Sequence, residues 1–232
     1  MALGKEDPSN PMNDALPMVY LVRHGETAWT LSGQHTGRTD IPLTERGDRE
    51  ARELNALKDL SFASVITSPL IRARRTCELA GFGESAESDP VLMEWDYGAY
   101  EGRRTLDIQA ERPGWRLFED GCPGGETLAQ VGERADQVMT RIRASGSNVL
   151  IFAHRDILRV LTALWVALPA LEARRFHLGT ASVSILGYDH DLDEPVIRQL
   201  NGAPRTNDGG DRDLRRFEVR MDQAGGRRQK HQ

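Results

Sequence analysis

MVYLVRHGETAWTLSGQHTGRTDIPL, residues 18–43, passes directly from an apolar run into a polar loop. Met18 to Val22 has strand composition, and Arg23, His24 and Gly25 follow at its carboxyl end. Gly25 lets the backbone turn sharply or approach a ligand closely. In open α/β sheets the ligand crevice lies outside the carboxyl ends of the strands. A strand that stops on Arg23-His24 therefore delivers both side chains to that crevice.

Two other strand candidates end in the same manner. Ser64 to Thr67 (SVIT) is closed by Ser68-Pro69 and leads to Arg72, and Asn148 to Ala153 (NVLIFA) ends on His154. By the crevice rule the three endings converge. Arg23 and Arg72 offer permanently charged, bidentate clamps for a phosphoryl group, and His24 and His154 offer a nucleophile and a proton donor. Neighbouring positive charge favours neutral His24 and leaves a ring nitrogen free to attack phosphorus, forming a phosphohistidine. Arg23, Arg72 and His154 would then hold the equatorial oxygens as they take up transition-state charge. Glu94, after an apolar strand at Val91 to Met93, is the candidate acid for the leaving alkoxide, with Glu101 as its rival. The scheme requires no metal and no cofactor.

Strands alternating with helices predict an α/β fold with a mostly parallel sheet and helices on both faces. Helices are expected from Thr44 as cap to Lys58, from Leu70 to Ala80, from Glu126 to Ala144 and from Ile157 to Leu168, with a short polar helix at Leu171 to Phe176. Ala181 to Tyr188 and Val196 to Leu200 read as the last strands. Trp95 to Gly125 reads as irregular chain of the kind that covers or rims a site. Residues 1–17 are expected to form a flexible lead-in, 18–204 one domain, and 205–232 a disordered tail. For Arg155-Asp156 two placements are weighed: Arg155 on the substrate rim, or Arg155 turned away while Asp156 caps the next helix. The second is favoured, because aspartate at a helix start has an ordinary structural cause.

Composition narrows the function classes. With 232 residues, a net charge of -5 and 28% charged residues, the chain has no basic excess to grip nucleic acid. Its two cysteines, Cys77 and Cys122, lack metal-ligand spacing. No apolar stretch is long enough to span a bilayer and the amino terminus lacks a signal-peptide pattern, so a cytoplasmic location is expected. The expected partner is a small phosphorylated molecule, without nucleic acid or membrane, and a homodimer is left open.

The run LVRHGET, followed by GQHTGRTDIPLTERG, SPLIRARRT, LMEWDYGAYEG, PGGET and FAHRDILR, resembles the histidine phosphatase superfamily in its phosphoglycerate-mutase-like branch. The resemblance spans about Val19 to Leu186 and implies a three-layer α/β/α sandwich. It implies His24 as the phosphorylated nucleophile, Arg23, Arg72 and His154 as the phosphate pocket, and Glu94 as proton donor. It also implies that Thr36 reaches the phosphate, and Thr30 and Gly37 are grouped with the substrate-binding residues. Cofactor-dependent mutases of the family carry a long insertion where this chain has only Arg103 to Pro123, and an asparagine where it has Thr30. Both departures favour a phosphatase. The Ser32 to Asp40 loop looks most like the subgroup of broad-specificity acid phosphatases and sugar bisphosphatases. A mutase, and a module that binds a phosphorylated ligand without turnover, stand as the alternatives.

Overall fold

The computed structural model describes residues 16–203, so the lead-in and tail fall almost wholly outside the described residues. The chain runs β1 (Val19–Arg23), α1 (Ala28–Ser32), α2 (Glu45–Glu53), β2 (Ser64–Thr67), α3 (Ile71–Leu79) and β3 (Ala86–Ser88). It continues α4 (Thr105–Glu111), α5 (Leu117–Asp120), α6 (Leu128–Ser145), β4 (Val149–Ala153), α7 (Arg155–Trp165), β5 (Val183–Tyr188) and β6 (Pro195–Gly202). Short 3₁₀ turns occupy Leu54–Asp59, Pro90–Leu92, Gly98–Tyr100 and Ala170–Arg175.

The strands form one sheet in the order β3-β2-β4-β1-β5-β6. Its β3-β2-β4-β1 portion is parallel, whereas β5 and β6 pair antiparallel, giving a mixed sheet. Side chains alternate across the central strands as a doubly covered sheet demands. Val19, Leu21, Val149 and Ile151 pack into one core with Val138, Ile142 and Leu161 of α6 and α7. Tyr20, Val22, Leu150 and Phe152 face the opposite way, onto Leu54, Leu57 and Cys77. The result is the expected three-layer sandwich.

Register brings the site together. Arg23 pairs with Ala153 in the parallel β1–β4 ladder and Thr67 pairs with Phe152, so His24, His154 and Ser68 emerge side by side from one sheet edge.

Several local expectations change. The helix starting at Thr44 tightens to 3₁₀ after Glu53, and the apolar piece at Val91 to Met93 is not a strand but follows a 3₁₀ turn. Pro90 opens that turn and the Asp89 carboxylate accepts the Val91 N–H at 2.9 Å, a local start signal that outweighs three apolar residues. The Trp95 to Gly125 stretch contains α4 and α5, and a short edge strand, β3, lies between α3 and the 3₁₀ turn at Pro90. Among the described residues no helix is long and apolar enough to cross a membrane.

The turn after β1 sits directly on α2. A Cβ at Gly25 would lie 2.5 Å from the Gly47 carbonyl oxygen, and one at Gly47 would lie 2.1 Å from that of Glu26. Neither residue has room for a side chain. Gly47→Ala is expected to cost about 1–3 kcal/mol, the usual range for forced overpacking, read as a lower midpoint in denaturant unfolding. An unchanged midpoint would show that the contact yields freely.

Candidate active site

His24 is buried, and its Nδ1 lies 2.8 Å from the Gly25 carbonyl oxygen. A carbonyl can only accept, so Nδ1 carries the proton and Nε2 keeps its lone pair. Burial, then the charges of Arg72 and Arg23, push its pKa well below the ordinary histidine value. The ring is held neutral, with its Nε2 lone pair free.

His154 lies beside it, with the two ring centroids 5.2 Å apart. Its Nε2 is 2.7 Å from the Ser68 hydroxyl oxygen, which also accepts the Leu70 N–H at 3.3 Å. Burial first, then Arg72 and His24, hold this ring neutral as well. With the Ser68 hydroxyl donating to Nε2, the proton sits on Nδ1. That atom is buried and has no partner.

Both arginines are anchored by carbonyls. Arg23 donates through Nη1 to Leu178 O at 2.6 Å, and Arg72 donates to the carbonyls of Thr39, Thr36 and Gly37 at 3.0, 3.2 and 2.8 Å. Burial is the chief reason that both guanidinium pKa values are lowered, that of Arg23 to about 10. Each keeps a buried Nε without an acceptor. Buried donors are almost always satisfied, so three such atoms on Arg23, Arg72 and His154 mark a place built for an oxygen-rich anion.

Glu94 approaches the amino terminus of α7. Its Oε1 accepts the N–H groups of Trp95, Asp156 and Ile157 at 2.9, 3.2 and 3.1 Å, while Oε2 shares only that of Asp156, at 3.0 Å. Burial and then the Asp156 charge raise its pKa, against those N–H groups, which favour the carboxylate. Its charge in turn raises both arginine pKa values, which places it in their field. Oε2 is therefore the less occupied of the two carboxylate oxygens.

Across residues 19–201 the sequence matches the model for the histidine phosphatase superfamily, branch 1. The chain belongs to that superfamily. An acid phosphatase of Mycobacterium tuberculosis is 39% identical over 192 residues, covering 81% of this chain and 94% of the relative. A sedoheptulose 1,7-bisphosphatase of Saccharomyces cerevisiae is 34% identical, covering 80% of this chain and 93% of its own. The solved structure of the Mycobacterium tuberculosis open reading frame Rv3214 superimposes with a TM-score of 0.76 at 37% identity, covering 81% of this chain and 98% of that one.

Within this histidine phosphatase, the other expected binding residues act at one remove or elsewhere. Thr36 and Gly37 present their carbonyls to Arg72, and the Thr36 hydroxyl donates to Gln34 O at 3.3 Å. The Gly37 N–H goes to Glu101 Oε1 at 2.8 Å, so Glu101 ties the loop to the turn at Gly98–Tyr100. A Cβ on Gly37 would lie 2.5 Å from the Trp95 carbonyl, which explains the glycine. The Thr30 hydroxyl is spent in a reciprocal cap with Thr27, accepting its N–H and donating to its carbonyl, both at 2.8 Å.

Asp156 does not cap α7; the cap residue is His154, with no side-chain bond, and Glu94 serves the free N–H groups from 62 residues away. Asp156 is instead buried, accepting from Tyr97 Oη and from Arg159 Nη1, each at 2.6 Å. Burial would raise its pKa, but Arg155, Arg159 and the Tyr97 hydroxyl outweigh it and hold the group near 2. Arg155 is not turned away. It lines a cavity of about 490 Å³ together with His35 and Asp156.

Ser68 and Arg134 are site residues that the sequence reading did not select. Ser68 orients His154, and a serine between a β-strand and a proline was the available signal. Arg134 grips both Glu126 carboxylate oxygens at 2.7 and 2.8 Å and the Val91 and Met93 carbonyls at 2.7 Å, fixing the backbone that presents Glu94. A single arginine within α6 carries no local mark of that role.

Proposed function

We propose that this chain is a metal-independent phosphomonoesterase acting on small phosphorylated metabolites, sugar phosphates and phosphoglycerate-like acids among them, through a phosphohistidine. The observation that carries the reading is the neutral His24 ring, its Nε2 lone pair free, set among buried donors of Arg23, Arg72 and His154 that lack acceptors. His24 Nε2 attacks phosphorus and the bond to the leaving oxygen breaks. Glu94 Oε2 gives that oxygen its proton. Water then attacks the phosphohistidine while the Glu94 carboxylate takes a proton back, releasing phosphate and restoring both groups. The arginines and His154 stabilise the transferring group throughout. The names of the relatives and the short segment between Gly102 and Gly124 support hydrolysis over mutase chemistry. Unpaired Cys77 and Cys122 support a cytoplasmic setting.

The test is release of phosphate from an aryl phosphate in EDTA, with rapid quenching to trap an acid-labile, base-stable phosphoenzyme. Trapping on His24 with phosphate release supports the reading. No phosphoenzyme, or transfer to a phosphoglycerate without release to water, overturns it.

Asp156 sets the working range of Glu94. Its negative charge is second only to burial in raising the Glu94 pKa, so Asp156→Asn lowers that pKa and depletes the acid form sooner as pH rises. The alkaline limb of kcat/KM should move to lower pH while the acid limb, set by His24, stays in place. An alkaline limb that does not move would show that Asp156 is structural only.

A further inference from the structure

Both backbone polar groups of Gly25 are engaged. Its carbonyl accepts the His24 Nδ1–H at 2.8 Å, which keeps the proton off Nε2. Its N–H donates to the Thr76 hydroxyl oxygen at 3.0 Å, from a residue 51 positions away in the chain. That hydroxyl has a single proton, and it goes to the Arg72 carbonyl at 2.7 Å. Thr76 Oγ1 therefore meets Gly25 with a lone pair. The residue is wholly buried within α3, so both contacts are shielded from water.

A threonine inside a helix commonly bonds back to the carbonyl four residues earlier, and that bond adds nothing to helix stability. The bond to Gly25 is of a different kind, because it joins α3 to the turn after β1. The rest of that turn is held from other sides. His24 donates its N–H to Ala153 O at 3.0 Å and its carbonyl accepts the Ala181 N–H at 3.1 Å, while the Glu26 carbonyl accepts the Thr44 N–H at 2.9 Å. Thr76 supplies the contact at Gly25 that neither neighbouring strand provides. It also lies one turn after Arg72 on the buried face of α3. One rigid element thus carries both the phosphate clamp and the support of the residue whose carbonyl holds the nucleophile.

We infer that Thr76 is a positioning residue for the phosphoryl transfer: its hydroxyl holds Gly25 so that the Gly25 carbonyl keeps His24 in its attacking tautomer and orientation, aligned with Arg72. Thr76 acts through Gly25 and moves no proton itself. The inference rests on His24 being the nucleophile. A hydroxyl suits the place because it accepts and donates at once, whereas valine has nearly the same shape and does neither.

The experiment compares the wild type with Thr76→Val, Thr76→Ala and Thr76→Ser. Rapid-quench phosphorylation by p-nitrophenyl phosphate reads the chemical step, and inhibition by inorganic phosphate reads the affinity of the pocket. Nitrogen NMR of the histidine rings, with His24→Ala to assign the signal, reads the tautomer. Loss of the hydroxyl is expected to slow phosphoenzyme formation by about 10- to 100-fold, the scale of a small misplacement of a reacting group. Affinity for inorganic phosphate should hold, because Arg23 and Arg72 keep their own carbonyl anchors. The His24 signal should change from a single Nδ1–H tautomer to a mixture, and Thr76→Ser should restore both rate and signal. A wild-type rate in Thr76→Val or Thr76→Ala overturns the inference, as does a rate loss matched by an equal loss of phosphate affinity with the tautomer unchanged. Rapid hydrogen exchange at the Gly25 amide of the wild type overturns it too, and that measurement needs no variant to fold. If the wild type itself forms no phosphoenzyme, the phosphatase reading fails, whereas a wild-type phosphoenzyme with unaffected Thr76 variants counts against the inference alone.

Discussion

His24→Ala is expected to lower kcat for any phosphate ester by roughly 10⁴- to 10⁶-fold, the loss seen when a covalent nucleophile is removed from a site whose remaining groups stay in place. The remaining groups here are independently anchored: Arg23 and Arg72 on backbone carbonyls and His154 on Ser68. The variant should therefore still bind phosphate esters, and it should form no phosphoenzyme. Thermal unfolding should change little by comparison, because the substitution removes one side-chain hydrogen bond, that to the Gly25 carbonyl, and a ring buried beside two cations. The wild-type pH profile carries the same logic. A His24 pKa well below 6.5 keeps the nucleophile neutral in acid, so the acid limb of kcat/KM lies below the ordinary histidine range. Loss of activity as pH falls through 6.5, or a variant retaining more than a hundredth of wild-type turnover, would remove His24 from the role of nucleophile.

What the sequence made legible was the part governed by short-range pattern. β1, β2 and β4 are brief, β-branched or apolar runs buried on both faces, and each stops at a residue whose chemistry is conspicuous. Because those strands are parallel and adjacent, their last residues fall together at one sheet edge, as the crevice rule expects. The antiparallel pairing of β5 and β6 had no such mark, since strand composition does not encode direction. β3 shows only Ala-Glu-Ser, an edge strand whose sparse apolar content looks like loop.

The role of Asp156 shows where local reasoning fails. Aspartate near a helix start suggests a cap, and a capping carboxylate is indeed present, but it comes from Glu94. Once the free N–H groups of α7 are served by a distant acid, the local aspartate is released to hold Tyr97 and Arg159. Thr30 is the reverse case: a residue grouped with the ligand contacts through the family resemblance has its hydroxyl engaged, as acceptor and donor, in the cap of α1. At α7 tertiary packing supplied the cap from a distance, whereas at α1 the cap is wholly local.

Glu94→Gln should separate the two halves of the reaction. The four N–H contacts involve chiefly Oε1, and a glutamine oxygen can keep that position while its amide nitrogen replaces Oε2. The fold and the α7 terminus should therefore persist on the Oε1 contacts, with the proton and the Oε2 contact to the Asp156 N–H lost. For an alkyl phosphate, whose leaving oxygen cannot depart as an alkoxide, kcat should fall by about 10²- to 10⁴-fold, the usual contribution of a positioned general acid. For p-nitrophenyl phosphate the first step needs little help, because nitrophenolate is a stable leaving group. The second step still needs a base for water, and glutamine offers none. The variant should then release a burst of about one nitrophenolate per active site followed by slow turnover, and the phosphoenzyme should accumulate. Equal losses on alkyl and aryl esters without a burst would mean that Glu94 only caps α7. In that event the acid would have to be Glu101, whose Oε2 is buried without a partner, and Glu101→Gln would show the burst instead.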